Sequence, residues 1–248
     1  MKPLHIITPV KDSIDSTIEI AEAILSSDIR TEFHYTIYND FSTPENTATL
    51  EKFVASKGDN ISLVNLSEIT THPSPNYLLV LQMSQQRALE AGADLLNVES
   101  DVVGRPDCTP AFTYMFIEAL ADGAAERKDC GIAAAVTVND QGEINYPYEY
   151  ARGHEGECYA VKRHCSFCCS LLTNELLKAY DFHSLNPEKH WFDVTISQQS
   201  RAMGFTNYLF ANHPVIHRPH ASRPWKQLKY TNPLKYYWIK FTKGFDKI

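Results

Sequence analysis

Strand-like and helix-like patterns alternate along about the first 100 residues, and that alternation decides the fold class. Leu4–Thr8 (LHIIT) is a short β-rich run closed by Pro9, and Ser13–Ser27 carries Ile18, Ala21, Ile24 and Leu25 at helical spacing. Phe33–Tyr38 alternates as a strand does, and Ser42-Thr43-Pro44-Glu45 then opens a capped helix that stops at Gly58. Ile61–Leu66 is a third strand, Tyr77–Ala91 a helix ending at Gly92, and Asp94–Val98 (DLLNV) a fourth strand. Such βαβ units predict an α/β fold with a largely parallel sheet covered on both faces.

The second half is less regular. Ala111–Ala121 and Asn174–Tyr180 read as helices, and Gly131–Val138 and Cys165–Leu172 as strands. Asp193 heads a helix over Val194–Met203, in the position of an N-cap. Between them, Asn139 to Arg163 reads as one long polar loop. No repeat or linker divides the chain, so residues 1–222 are expected to form one domain, with halves at about 1–105 and 106–222.

Charge separates the remainder. The net charge of −7 resolves into +6 for residues 223–248 and −13 for the body. The acidic body argues against nucleic-acid binding, which needs a basic face. The extension combines Arg223, Lys226, Lys229, Lys235, Lys240, Lys243 and Lys247 with Trp225, Tyr230, Tyr236, Tyr237, Trp238, Phe241 and Phe245. Two readings fit it: peripheral contact with an anionic membrane, or a helix whose aromatics pack on the body. Six Cys in 248 residues and no apolar run of spanning length predict a soluble chain in a reducing, cytoplasmic compartment, at most peripheral on the membrane's inner face. The N-terminal apolar stretch is too short for a signal peptide.

In open α/β sheets ligands collect at the carboxyl ends of the strands. Thr8, Pro9 and Asp12 follow the first strand, Asn39, Asp40 and Ser42 the second, and Glu99, Ser100 and Asp101 the fourth. Acidic groups at three strand ends are costly together unless a cation or a donor-rich ligand sits there. Glu99 and Asp101, two residues apart behind an apolar strand, suit a hard cation such as Mg²⁺ or Mn²⁺ bridging phosphates. The CxxC of Cys165–Cys168 has no second pair, so buried thiols fit better than zinc. His213, His217 and His220 have ligand-like spacing, and only His217 closes a β-rich stretch. GxGxxG, GxxxxGK[ST], GxSxG and HExxH are all absent, which removes the main support for dehydrogenase, P-loop, serine hydrolase and zinc protease readings.

These pieces together resemble the family 2 glycosyltransferases of GT-A fold. His5-Ile-Ile-Thr-Pro-Val-Lys-Asp12 is similar to the family's opening "IIPVYN" turn, and Tyr38-Asn-Asp-Phe-Ser-Thr43 to its "VDDGST" segment. Asn97-Val-Glu-Ser-Asp101 resembles the "LDxD" element, with Glu for the first Asp. Cys165–Phe182 resembles the block "GACLLIRREVLEALGGF", and Phe192–Phe205 resembles "EDVDLSLRLRRAGY". The likeness runs over residues 4–222 and implies a single mixed, mostly parallel sheet flanked by helices. It implies transfer of a sugar, with inversion, from a nucleotide-diphosphate donor to a glycan or lipid-linked acceptor, in glycan or polysaccharide assembly. By the same resemblance Thr8, Pro9, Val10, Asp12, Asp40, Glu99 and Ser100 would line the nucleotide site. Asp101, with Glu99 and His217, would hold Mn²⁺ or Mg²⁺, Asp193 would be the catalytic base, and the Cys165–Cys169 strand would be scaffold. Phe192 stands where the family has an acid, and Met83-Ser84-Gln85-Gln86 where it commonly has Arg-Asn-x-Gly. Those departures motivate the alternative of a non-catalytic sugar-nucleotide or glycan binder on the same fold.

Overall fold

The computed structural model describes residues 2–26, 29–103, 115–189, 191–218, 228 and 232–243. His220, the start of the helix expected at Ala111, the 222/223 boundary and most of the basic extension lie outside the described residues.

Among the described residues nine strands form one sheet: β1 (Leu4–Val10), β2 (Phe33–Asn39), β3 (Ile61–Asn65), β4 (Asp94–Val98), β5 (Val102–Val103), β6 (Cys130–Val138), β7 (Cys158–Val161), β8 (Cys169–Leu172) and β9 (Thr206–His217). Their order is β3-β2-β1-β4-β8-β6-β9-β5, with β7 also on β9. The first four are mutually parallel, β8 runs against both neighbours, and β9 is parallel to β6. Helices α1 (Ile14–Ser26), α2 (Pro44–Ala55), α3 (Tyr77–Glu90), α4 (Met115–Glu126), α5 (Asn174–Ala179) and α6 (Phe192–Ala202) accompany it, and α7 (Pro233–Lys243) lies in the extension.

Local chemistry accounts for these elements. Helix α1 buries Ile14, Thr17, Ile20, Ala21 and Ile24, an apolar stripe at helical period. Thr43 caps α2, its hydroxyl accepting from the Asn46 amide at 3.3 Å, with Pro44 in the first turn. Strand β6 is buried along its whole length, as a strand covered on both faces must be. It is rich in small residues because α6 and the segment after it press on it. A Cβ at Gly131 would lie 2.2 Å from Ser200 Oγ and 2.8 Å from Phe205 Cβ.

Three local expectations change. The stretch 139–163 contains a 3₁₀ turn at Glu149–Ala151, the fully buried Tyr148 and the edge strand β7. With four residues and one buried side chain, β7 has no hydrophobic alternation to announce it. Strand β8 begins at Cys169 and not at Cys165, so the CxxC lies in the approach to the strand. Helix α6 begins at Phe192 with Trp191 at its cap position, which puts Asp193 in the first turn and not at the N-cap. Phe192 is drawn into the helix because it is a core residue, buried and 6.4 Å from the Tyr77 ring. The packed-tail reading also fails over α7, where Leu234, Tyr237, Trp238 and Phe241 are exposed.

Candidate active site

The sheet order sets the carboxyl ends of β2, β1 and β4 side by side, so the nucleotide-site residues expected from the sequence share one edge. Thr8 and Val10 are buried within β1, and the Thr8 hydroxyl accepts from Tyr35 Oη at 2.8 Å. The chain beyond Val10 and the chain beyond Asn39 form two neighbouring loops at this edge, the rim of the candidate site. Asp12 and Phe41, with φ of 58° and 59°, are the two non-glycine residues in the left-handed region among the described residues. Strained backbone at two adjacent strand ends is typical of ligand sites.

Both rim loops are bolted by hydrogen bonds. The Asp12 amide donates to Ser42 Oγ at 2.9 Å, while Asp12 Oδ1 accepts from the Thr43 amide at 2.8 Å and Asn46 Nδ2 at 3.0 Å. Those donors hold the exposed Asp12 carboxyl below its ordinary range, Asn46 contributing most. Asp40 is buried; its Oδ2 accepts from Ser74 Oγ (2.7 Å) and the Asn76 amide (2.9 Å), and its Oδ1 from Asn76 Nδ2 (2.7 Å). Asp40 thus anchors the loop that leads into α3.

The second cluster forms where β4 turns back. The Val102 amide donates to Glu99 O at 3.0 Å, closing a tight turn over Glu99-Ser100-Asp101-Val102. The Glu99 amide donates to Cys168 O and the Arg218 amide to Asp101 O, each at 2.8 Å. Strand β5 then pairs Val102 with His217. The register brings Asp101 Oδ2 to 3.3 Å from His217 Nε2, with Cys168 Sγ 3.8 Å from the same nitrogen. Ligand atoms of Glu99, Cys168 and His217 lie within 4.8 Å of one another. Ser197 accepts from the Cys165 amide at 3.0 Å, tying α6 to the same approach segment. Asp193, in the first turn of α6, is close enough for its charge to act on Glu99 and Cys168.

The electrostatics are those of crowded carboxylates. Burial pushes Glu99 up to about 7, and the charges of Asp101 and Asp193 add to it against the opposing His217. Burial disfavours the imidazolium of His217, yet the hydrogen bond and charge of Asp101 and the charge of Glu99 leave it above its ordinary range. Cys168 is driven well above the usual thiol range by burial and by Glu99, so it stays a neutral thiol. Two carboxylates beside one imidazole, with a thiol that keeps its proton, make a group of side chains that could hold a metal ion.

Glu99, Asp101 and His217 thus lie together, the charge of Asp193 reaches Glu99, and Ser100 lies buried in the same turn. Cys168 is the residue that sequence reasoning missed. Its CxxC was visible, but only the antiparallel register of β8 against β4, Val98 opposite Cys169, places Cys168 beside Glu99.

No family profile matches the chain, and no curated protein matches it. Solved structures do. A mannosyltransferase, PcManGT from Pyrobaculum calidifontis in complex with GDP-Man and Mn²⁺, superposes with a TM-score of 0.63 at 13% identity, over 95% of this chain and 63% of that one. Residues 1–349 of S. aureus TarS superpose with a TM-score of 0.55 at 15% identity, over 93% and 64%. The chain thus spans a little under two thirds of the length of each. At these identities the likeness establishes the fold, which is the GT-A-like mixed α/β architecture expected from the sequence.

Proposed function

We propose that the chain transfers a sugar, with inversion, from a nucleotide-diphosphate donor to a hydroxyl of a glycan or lipid-linked acceptor. The observation that carries this reading is the convergence of Glu99, Asp101 and His217 with Asp193, beside a rim of strained loops, on a GT-A-like sheet. The likeness to a mannosyltransferase that binds GDP-Man and Mn²⁺ supports the donor class.

In this reading Thr8, Pro9, Val10, Asp12, Asp40 and Ser100 form the nucleotide site. Asp40 acts there largely by fixing the 74–76 loop, because its carboxylate oxygens already accept three hydrogen bonds. Asp101 and His217, with Glu99, would hold Mn²⁺ or Mg²⁺, which when bound supplies positive charge for the departing diphosphate. Asp193 takes the proton of the acceptor hydroxyl as that oxygen attacks the anomeric carbon. The N-terminal turn of α6 favours its ionised form. Cys168 stays protonated and walls the site between Glu99 and His217.

Asp193→Asn tests the assignment, since it preserves shape and removes the base. Transfer is expected to fall about 1,000-fold or more, with nucleotide binding retained, measured by thermal shift with UDP, GDP, dTDP and CMP in Mn²⁺, Mg²⁺ or EDTA. Near-normal transfer would remove Asp193 as the base. The absence of any metal-dependent shift in the parent would remove the donor reading itself. Binding of a nucleotide without transfer to any acceptor would favour the non-catalytic alternative. The departures that motivated that alternative have structural uses: Phe192 is core, and Gln85 Nε2 donates to Leu177 O (2.8 Å) and Tyr180 O (2.6 Å) while its Oε1 accepts from the Phe182 amide (2.8 Å).

A further inference from the structure

Helix α7 does not resemble the other helices. Asn232 Oδ1 accepts from the Lys235 amide at 3.1 Å and Pro233 occupies the first turn, so the helix has a defined start. Leu234, Tyr237, Trp238 and Phe241 recur at i, i+3, i+4 and i+7, which aligns them on one face. That face is open: the four side chains are 86%, 57%, 71% and 89% exposed. They are four of the seven large apolar side chains exposed among the described residues; Ile69, Tyr146 and Met203 are scattered singly. Contiguous exposed apolar surface of this kind marks an interaction site.

Charge identifies the occupant. Lysines fall at 235, 240 and 243, outside the apolar stripe at helical spacing, and residues 223–245 contain no Asp or Glu. Two copies of this helix packed face to face would bring lysines together with no carboxylate on either helix to pair them. A bilayer with anionic headgroups buries the whole stripe and neutralises the flanking lysines at once. Tyr and Trp are the aromatics that settle at that boundary, with apolar ring and polar tip. At 11 residues, α7 is too short to span, and no described helix is long and apolar enough to cross a membrane.

We infer that α7 lies in the plane of an anionic lipid surface, with Leu234, Tyr237, Trp238 and Phe241 inserted and its lysines at the headgroups. The inference stands apart from the transfer reading, since it rests on the helix alone. It is tested by co-sedimentation of the full chain with phosphatidylcholine vesicles, with and without about one third phosphatidylglycerol. The parent is expected to bind the anionic vesicles and to be released by high salt. Trp238→Ser with Phe241→Ser should weaken that binding about 100-fold, with the melting temperature of the body and its nucleotide binding unchanged. Lys235→Gln, Lys240→Gln and Lys243→Gln together should weaken it on the order of 100-fold on anionic vesicles alone. No binding by the parent, or binding indifferent to the Trp238 and Phe241 changes, overturns the inference. A doubled solution mass that those two changes abolish also overturns it, in favour of a second copy on the same face.

Discussion

Acidic residues stand at two parts of the same sheet edge, and their surroundings are opposite. At the ends of β1 and β2, Asp12 and Asp40 are surrounded by donors from their own chain, five hydrogen bonds to two carboxylates. At the end of β4, Glu99 and Asp101 share His217 with the charge of Asp193 nearby, and the balance drives Glu99 upward. A carboxylate with donors holds a loop in place. A carboxylate crowded by others stores repulsion that a cation would relieve. The loops of the first region are held by bonds within the chain, and in the second the chain leaves like charges facing one another.

The comparison is broken most severely at Asp40. Asp40→Ala strips the acceptor from the buried Asn76 backbone amide, removes the Ser74 bond, leaves the Asn76 side-chain amide only His72 O, and so releases the 74–76 loop. Unsatisfied buried donors cost about 1–3 kcal/mol each, so a loss of about 3 kcal/mol is expected. For a chain of this length that lowers the melting temperature by roughly 10 °C, metal or no metal. An unchanged melting temperature would show that the loop holds itself and that Asp40 is free for ligand.

How much of this was legible in the sequence follows the same division. Leu4–Thr8, Phe33–Tyr38 and Asp94–Val98 announce their strands by apolar pattern, and the helices between them by caps and stop signals, because each signal is local. Glu99 and Asp101 were nameable because strand ends carry ligands in such sheets, whereas Asp193 and His217 were reached only through the family resemblance. The hydrogen bonds of Asp40 to Ser74 and Asn76 were not, since partners more than 30 residues away leave no local trace. Cys168 is the buried thiol expected, and its place beside Glu99 was hidden for a related reason: only strand pairing shows which residue a thiol faces. Strand β7 was hidden because an edge strand needs only one partner and one buried side chain.

Glu99→Gln carries the comparison in the opposite direction. A carboxyl whose folded pKa rises from 4.5 to about 7 binds more protons in the folded chain than in the unfolded one. Its contribution to stability is full below pH 4.5 and is lost as the pH climbs through 7. The metal-free parent should therefore lose stability over that window, and Glu99→Gln should flatten the loss. At pH 8 the variant is expected to be more stable by about 1 kcal/mol, the sign opposite to Asp40→Ala. Its metal-dependent stabilisation should shrink, and in the parent that stabilisation should weaken below pH 7, where the proton competes for Glu99. Thermal melts from pH 4 to 8, with EDTA and with Mn²⁺, check both signs. A variant less stable than the parent at pH 8 would mean that Glu99, like Asp40, is held by its own chain.

The smallest effect separates scaffold from ligand contact at Asp12. The residue is exposed, sits in the left-handed region and accepts from Thr43 and Asn46, so Asp12→Ala loses both the acceptor and a side chain suited to that backbone, about 1–2 kcal/mol. Asp12→Asn keeps an Oδ1 acceptor and tolerates the same φ, and should cost under about 0.5 kcal/mol. If Asp12 serves only the loop, nucleotide affinity in Asp12→Asn matches the parent. If its second oxygen, which takes no bond from Thr43 or Asn46, contacts the nucleotide, affinity falls about 10-fold while the melting temperature holds. The proposed nucleotide site expects the second result, because the bonds to Thr43 and Asn46 use one oxygen and leave the other for a ligand.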